Sequence, residues 1–350
     1  MLALEARTLA RRWVEEHAAA RRGFAGAYFA GSITTLADDA ELPRTSDVDV
    51  WVVLAGESAP GKLGKFAYRG LTLDVTCRSL DRLRPPEAIL ADYHVAPAFR
   101  TPNIIADPSG ELTELQAAVS SDFAGHPWVT KRCDHARSHA LSYLRMLKES
   151  DDFHDQVIAW LFANGVLTHV LLVAGLRNPT VRRRYAAVRE LLAAYGRLDF
   201  HADLLESLGC ARMSPAHVEH HLAALSEAFD DAAAVADAPF PFTTDITPVA
   251  RPIAIDGSRE LIEACLHREA IFWIAVTSAR CQKTLHHGAT PEVAARHESG
   301  FRDLLADLGI ASATDLRREA HGVETLLPSV WAVAEAVTAA NPEITGEPGN

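Results

Sequence analysis

Strand-like alternation is confined to the first 124 residues of this chain. GAYFAGS at 26–32, VDVWVVL at 48–54 and KFAYRGLTLDVTCRS at 65–79 are rich in β-branched and aromatic residues at a period of two. Beyond the Gly125-His126-Pro127-Trp128 segment no such run survives, and apolar residues recur at helical spacing. The pattern predicts an α+β protein. An N-terminal α/β domain with a small mixed sheet should span 1–124, and an all-helical bundle domain 125–345. Two domains also suit 350 residues, because single cores stop growing near ~250–300 residues.

The first part reads as helix, strand, loop, strand, turn and hairpin. Leu2, Ala6, Leu9, Ala10, Trp13 and Val14 mark an amphipathic helix up to about Ala20. Residues 56–64 are turn-rich, and Arg69-Gly70 separates the two arms of a hairpin. A helical pattern over 79–93 is interrupted by Pro85-Pro86. NIIADPSG then forms a short strand and turn, and ELTELQAAVSSDF closes the domain as a helix. Helices are expected at 129–149, 151–175, 179–195, 200–208, 214–235, 257–285, 291–308 and 313–338. DAPFPFTTDITPVARP is a long connection, and NPEITGEPGN a frayed tail.

Aspartate is depleted from strands and rarely buried without a partner. Yet Asp47 and Asp49 stand at the head of VDVWVV, and Asp74 lies inside GLTLDVTC. Residues two apart on a strand share a face, with Cα atoms roughly 6.6 Å apart, so Asp47 and Asp49 project together. Like charges held that close repel unless a cation sits between them. Hard oxygen ligands on a semi-open site suit Mg²⁺. If the strand of Asp74 pairs beside VDVWVV, three carboxylates converge, enough for two cations that clamp a phosphoryl transfer. Asp74 could instead be the general base on an acceptor hydroxyl. Two solvated aspartates and a polar hairpin position are the plain alternatives.

Gly31-Ser32 follows a short strand and opens what reads as a helix. Its backbone N–H groups and the Ser32 hydroxyl could receive triphosphate oxygens. Arg44, just before the aspartates, could neutralise phosphate charge in a transition state, and Lys62, Lys65 and Arg100 are weaker versions of that idea.

Ala30-Gly31-Ser32, then Ser46-Asp47-Val48-Asp49-Val50, then Asp74 resemble the signature of the DNA polymerase β-type nucleotidyltransferase superfamily. The resemblance covers about the first 120 residues. The chain looks most like the aminoglycoside and lincosamide nucleotidyltransferases of the kanamycin and streptomycin type, which place a helical domain after the nucleotidyltransferase domain. IIADPSGELTEL looks like the end of that first domain in such enzymes. The resemblance implies that Asp47 and Asp49 bind Mg²⁺ with the NTP phosphates, that Gly31 and Ser32 hold the triphosphate, and that Asp74 is a metal ligand or base. It implies transfer of NMP from an NTP to a hydroxyl of a small, aminoglycoside-like acceptor, with release of pyrophosphate and the active site between the domains. In the streptomycin type the third acid is a glutamate; here the side chain is one methylene shorter. Two readings stand beside this one: transfer to RNA or to a protein side chain, as in antitoxin-type members, and a silent nucleotide-binding module.

In ESDDFHDQ, Ser150 can cap a helix that Asp151 and Asp152 favour through its dipole. A sharper reading has Glu149, Asp152 or Asp155 binding ammonium groups of the acceptor. Val181-Arg182-Arg183-Arg184-Tyr185 reads as a solvated helical face or an RNA-facing surface. A net charge of −12 argues against a protein devoted to nucleic-acid backbones and suits a cationic small partner. The five cysteines, with no CxxC pair, read as reduced cytoplasmic thiols. The N-terminus lacks the apolar core of a signal peptide, and the longest apolar stretch, 166–176, is too short to span a bilayer, so no membrane anchor is expected. His220-His221 and His286-His287 stand among sixteen histidines, but no HExxH or zinc-type Cys-His spacing occurs. No GxSxG, P-loop or GxGxxG motif is present. The helical part would permit a homodimer without requiring one.

Overall fold

The computed structural model describes residues 1–56, 61–236 and 240–346. The chain is α+β: one small mixed sheet lies near the N-terminus and helices follow. It divides into two compact units. One comprises Met1–Arg132, Leu176–Asn178 and the segment from Pro342 on; the other comprises Cys133–Gly175 and Pro179–Asn341.

The sheet unit has strands β1 (Phe24–Ala30), β2 (Val48–Leu54), β3 (Lys62–Tyr68), β4 (Leu71–Ser79) and β5 (Ile104–Ala106), in the spatial order β3-β4-β2-β1-β5. Among the described strands only β2 and β4 pair in parallel. Helix α1 (Ala3–Trp13) buries Ala3, Ala6, Ala10 and Trp13, a stripe at helical spacing, and packs on β2 and β4. It meets the sheet face carrying Val48, Val50 and Val52 from β2 and Leu71, Leu73 and Val75 from β4. Burying each such side chain contributes about 1.5–3 kcal/mol. Alternation then sends Asp49 and Trp51, and Asp74 and Thr76, to the opposite face. There Trp51 stacks on Tyr28 and lies under the Arg78 guanidinium. Between β3 and β4, Arg69 and Gly70 both have positive φ, 51° and 83°, the pair of left-handed residues a two-residue hairpin turn demands.

Short helices α2 (Pro86–Ala91) and α3 (Ala96–Phe99), then β5 and α4 (Glu111–Asp122), complete this unit. The expected frayed tail is fixed up to its described end. Thr345 accepts a backbone hydrogen bond from His126 (2.8 Å) and donates one to Ala124 (3.0 Å), because the adjacent backbone leaves both groups free for pairing. Part of that tail, 347–350, and parts of two other readings, the turn-rich 57–60 and the connection at 237–239, lie outside the described residues.

The helices that follow are α5 (His126–Glu149), α6 (Phe153–Ala174), α7 (Arg184–Ala194), α8 (Phe200–Ser207), α9 (Pro215–Ala234), α10 (Gly257–Glu263), α11 (His267–Gly288), α12 (Pro291–Asp307) and α13 (Ala313–Ala340). Helix α6 is apolar on every side and buried along nearly all its length, with α7, α11 and α13 against it. By length and hydropathy alone α6 and α13 are both able to cross a bilayer. The apolar stretch at 166–176 understated this because the helix continues apolar back through Val157-Ile158-Ala159-Trp160. In α6 the burial within its own unit accounts for that composition.

The helix expected over 257–285 is two. Cys265 adopts φ +61°, and Leu266 N–H bonds back to Leu261 O (2.8 Å), ending α10 without a glycine or proline to announce it. All five cysteines are free thiols, four buried and Cys265 exposed.

Candidate functional site

Parallel pairing of β2 and β4 sets Asp49 directly beside Asp74. Asp47 lies one residue before β2, and one carboxylate oxygen from each of the three falls within 4.8 Å of the others. Asp74 is buried, while Asp47 and Asp49 are half-buried. Their repulsion is partly offset by the hairpin. Register Lys65↔Asp74 places Lys65 over the cluster, where its ammonium pairs with Asp74 and lies 3.1 Å from Asp47 Oδ2. Lys62 lies 3.0 Å from Asp74 Oδ2. The other Asp74 oxygen, Oδ1, is buried without a hydrogen-bond partner. Burial, and then the negative charges of Asp47 and Asp74, hold the Asp49 carboxyl well above the usual carboxylate range. A divalent cation would relieve that conflict. Three carboxylates form a hard oxygen donor set of the kind Mg²⁺ takes, and the unpartnered Asp74 Oδ1 is an atom left for it.

Gly31 sits against these acids. Its φ is +65°, and a Cβ there would fall 2.0 Å from Asp49 Oδ2, so only glycine admits the carboxylate. Its carbonyl accepts hydrogen bonds from the Thr34 hydroxyl (2.7 Å) and the Asn178 side-chain amide (3.0 Å). The expected helix after Gly31-Ser32 is a single 3-10 turn, Gly31–Thr34, because the β-branched run Ile33-Thr34-Thr35 and the Arg7 guanidinium hold the chain back. Arg7 donates to Ile33 O (2.6 Å) and Leu36 O (2.5 Å) and pairs with Asp38. A helix dipole therefore contributes little at Gly31, and backbone N–H groups and hydroxyls remain. Ser32 is exposed, its Oγ 3.3 Å from Ser46 Oγ.

Arg44 is exposed in the turn just before Asp47. Arg100 is held elsewhere in the unit: it donates to Leu176 O (2.9 Å), pairs with Glu343 (2.7 Å) and covers the Phe123 ring. Lys62 and Lys65 address the carboxylates directly, a placement only the hairpin register reveals. Asn178, 147 residues from Gly31, carried no sequence signal at all.

In the helical unit, Glu149 is exposed at the end of α5. The cap of α6 is Asp152 rather than Ser150: Asp152 Oδ1 accepts from Asp155 N–H (2.9 Å), because the helix starts two residues later than expected. Asp155 pairs with Lys283. The arginine run is not a solvated face. Helix α7 starts only at Arg184, whose guanidinium is buried 4.1 Å over the Phe272 ring, and Arg182 donates to Gly257 O (2.6 Å). Arg183 alone of the three is exposed.

No protein-family model and no curated protein matches this chain.

Proposed function

We propose that this protein is a Mg²⁺-dependent nucleotidyltransferase that moves NMP from an NTP to a hydroxyl of a small acceptor. The observation that carries this reading is the convergence of Asp47, Asp49 and Asp74 beside a glycine that makes room for Asp49. Three like charges gathered on one face of a sheet, across its interior strands β2 and β4, destabilise the fold, and metal-assisted phosphoryl transfer is a chemistry that uses them. Asp47, Asp49 and Asp74 would hold two Mg²⁺. Bound there, the metal supplies charge stabilisation to the phosphates and the leaving pyrophosphate. Gly31 N–H, Ser32 N–H and the Ser32 hydroxyl would hold triphosphate oxygens. Arg44, exposed and close in sequence to Asp47, is free to lie along the phosphate chain. The acceptor oxygen attacks the α-phosphorus in line, its proton passes to a base, and pyrophosphate leaves. The two lysines engage Asp74 Oδ2, so Oδ1 is the atom through which Asp74 would serve, as a ligand to the metal or as the base.

The test is pyrophosphate release from each of the four NTPs with Mg²⁺, with and without a pooled panel of aminoglycosides and other hydroxylated metabolites. Acceptor-dependent release, absent in Asp47→Asn/Asp49→Asn, is expected. Mg²⁺-dependent NTP binding with no release on any small acceptor would transfer the reading to RNA or a protein side chain as acceptor. No NTP binding would sink it.

A further inference from the structure

A second cluster of ligand-type side chains lies wholly within the helical unit. His154 stands in the first turn of α6, His286 in the last turn of α11 and Glu298 on α12. One ligand atom from each lies within 4.8 Å of the others. We propose that these three residues form a binding site for a borderline-soft divalent transition metal, with Zn²⁺ foremost.

The chemistry of the donor set selects the metal. Two imidazole nitrogens and one carboxylate oxygen suit zinc, whereas Mg²⁺ prefers the all-oxygen set of the sheet unit. The spacing also agrees. Zinc bonds of ~2.0–2.1 Å in a tetrahedron put ligand atoms ~3.3–3.4 Å apart, and His286 Nε2 lies 3.6 Å from Glu298 Oε2.

Two of the atoms are waiting for a partner. His154 Nε2 and Glu298 Oε2 are both buried and neither makes a hydrogen bond. The surroundings explain why these atoms, and not their neighbours, are the ones presented. Glu298 Oε1 is taken by Arg302 at 2.7 Å. His154 Nδ1 faces Asp152 Oδ1 at 3.7 Å, and the ring is stacked against Phe301. A proton on Nδ1, turned to that carboxylate, leaves Nε2 as the bare lone pair, the arrangement that orients metal-bound imidazoles. His286 is 44% exposed, so the fourth position opens to water. Lys283 is one turn from His286, and its charge is engaged by Asp155.

The ligands come from positions 154, 286 and 298, so no local spacing motif exists to reveal them. The site is independent of the acidic cluster, and so is its test. Untagged protein, stripped with EDTA and then dialysed, is titrated with Zn²⁺ against a chromogenic chelator in excess Mg²⁺. One tight equivalent per chain is expected, with a rise in melting temperature. Co²⁺ at the site should show the intense visible bands of a tetrahedral centre. His154→Ala, His286→Ala and the isosteric Glu298→Gln should each weaken binding at least ~10-fold, and Asp152→Asn by about 10-fold. The control variant His135→Ala/His139→Ala, a half-buried pair on α5, should bind as the parent does. Far-UV circular dichroism of the metal-free variants checks that they fold, and Glu298→Gln serves if a histidine variant does not. Absence of a tight equivalent, or binding that survives all three ligand substitutions, overturns the proposal.

Discussion

In the helical unit the buried cations are each given a local partner. Arg280 lies 3.3 Å from Asp245 with the rings of Phe162, Phe242 and Trp273 around its guanidinium, and Arg184 rests on Phe272 while its Nε donates to Val181 O. In the sheet unit three carboxylates share one small volume with two lysine ammoniums, and Asp49 is left in a place that disfavours its charge. Burial disfavours charge in both places, but Arg280 has an opposite charge, Asp245, to itself, whereas Asp49 is further opposed by the like charges of Asp47 and Asp74. On the proposed function, the difference separates residues that build the fold from residues kept for chemistry.

The comparison can be broken most forcefully at Arg280. Arg280→Met leaves Asp245 without its partner and should destabilise by roughly 3 kcal/mol in urea unfolding, with turnover per folded molecule unchanged. A loss of turnover without a loss of stability would erase the distinction drawn between the units. At Gly31 the expectation inverts: Gly31→Ala displaces the Asp49 carboxylate and should lower pyrophosphate release about 100-fold, or ~2.7 kcal/mol, while stability changes less.

Asp49→Asn sharpens the contrast further, because it should abolish turnover yet stabilise the metal-free protein by about 1 kcal/mol at neutral pH. The sign follows from linkage. The folded-state pKa is raised, so the unfolded chain loses this proton at lower pH than the folded one, and the parent loses stability as pH rises from near 4 through the folded value. The melting-temperature gain of Asn over Asp should therefore vanish at pH 3 and be full above that window, with Mg²⁺ removing it. An equal gain at all pH values would show that charge is not its origin. The smallest effect is expected at Lys65. Lys65→Met removes the cation that competes for Asp47 and Asp74, and should lower the Mg²⁺ concentration for half-maximal binding about threefold, measured by calorimetry.

Much of the sheet unit was legible because its signals are local. Alternation in VDVWVV and LTLDVTC fixed which residues share a face, and Arg69-Gly70 fixed the hairpin. The three acids were legible as exceptions to that alternation. What escaped depends on register or on long-range return of the chain. Lys65 meets Asp74 only through the β3–β4 pairing, and Asn178 reaches Gly31 from 147 residues away. In the helical unit, the break at Cys265 has no glycine or proline to mark it, and the burial of Arg184 depends on aromatic rings supplied by α6 and α11. Helix existence could be read there; what each charged residue meets could not.

The bond from Asn178 to the Gly31 carbonyl and the pairing of Thr345 with Ala124 and His126 have a consequence for synthesis. A ribosome adds roughly 5–20 residues per second. All five strands have therefore left the exit tunnel many seconds before Thr345 arrives to pair with the backbone at 124–126. A nascent sheet can pair its strands early, but the backbone beside the acids gains its Asn178 bond only later, and the segment at 124–126 gains its partner only once Thr345 has been made. Ribosome-bound chains halted before 342 should accordingly be cut by protease between 100 and 132, and released chains that include Thr345 should resist.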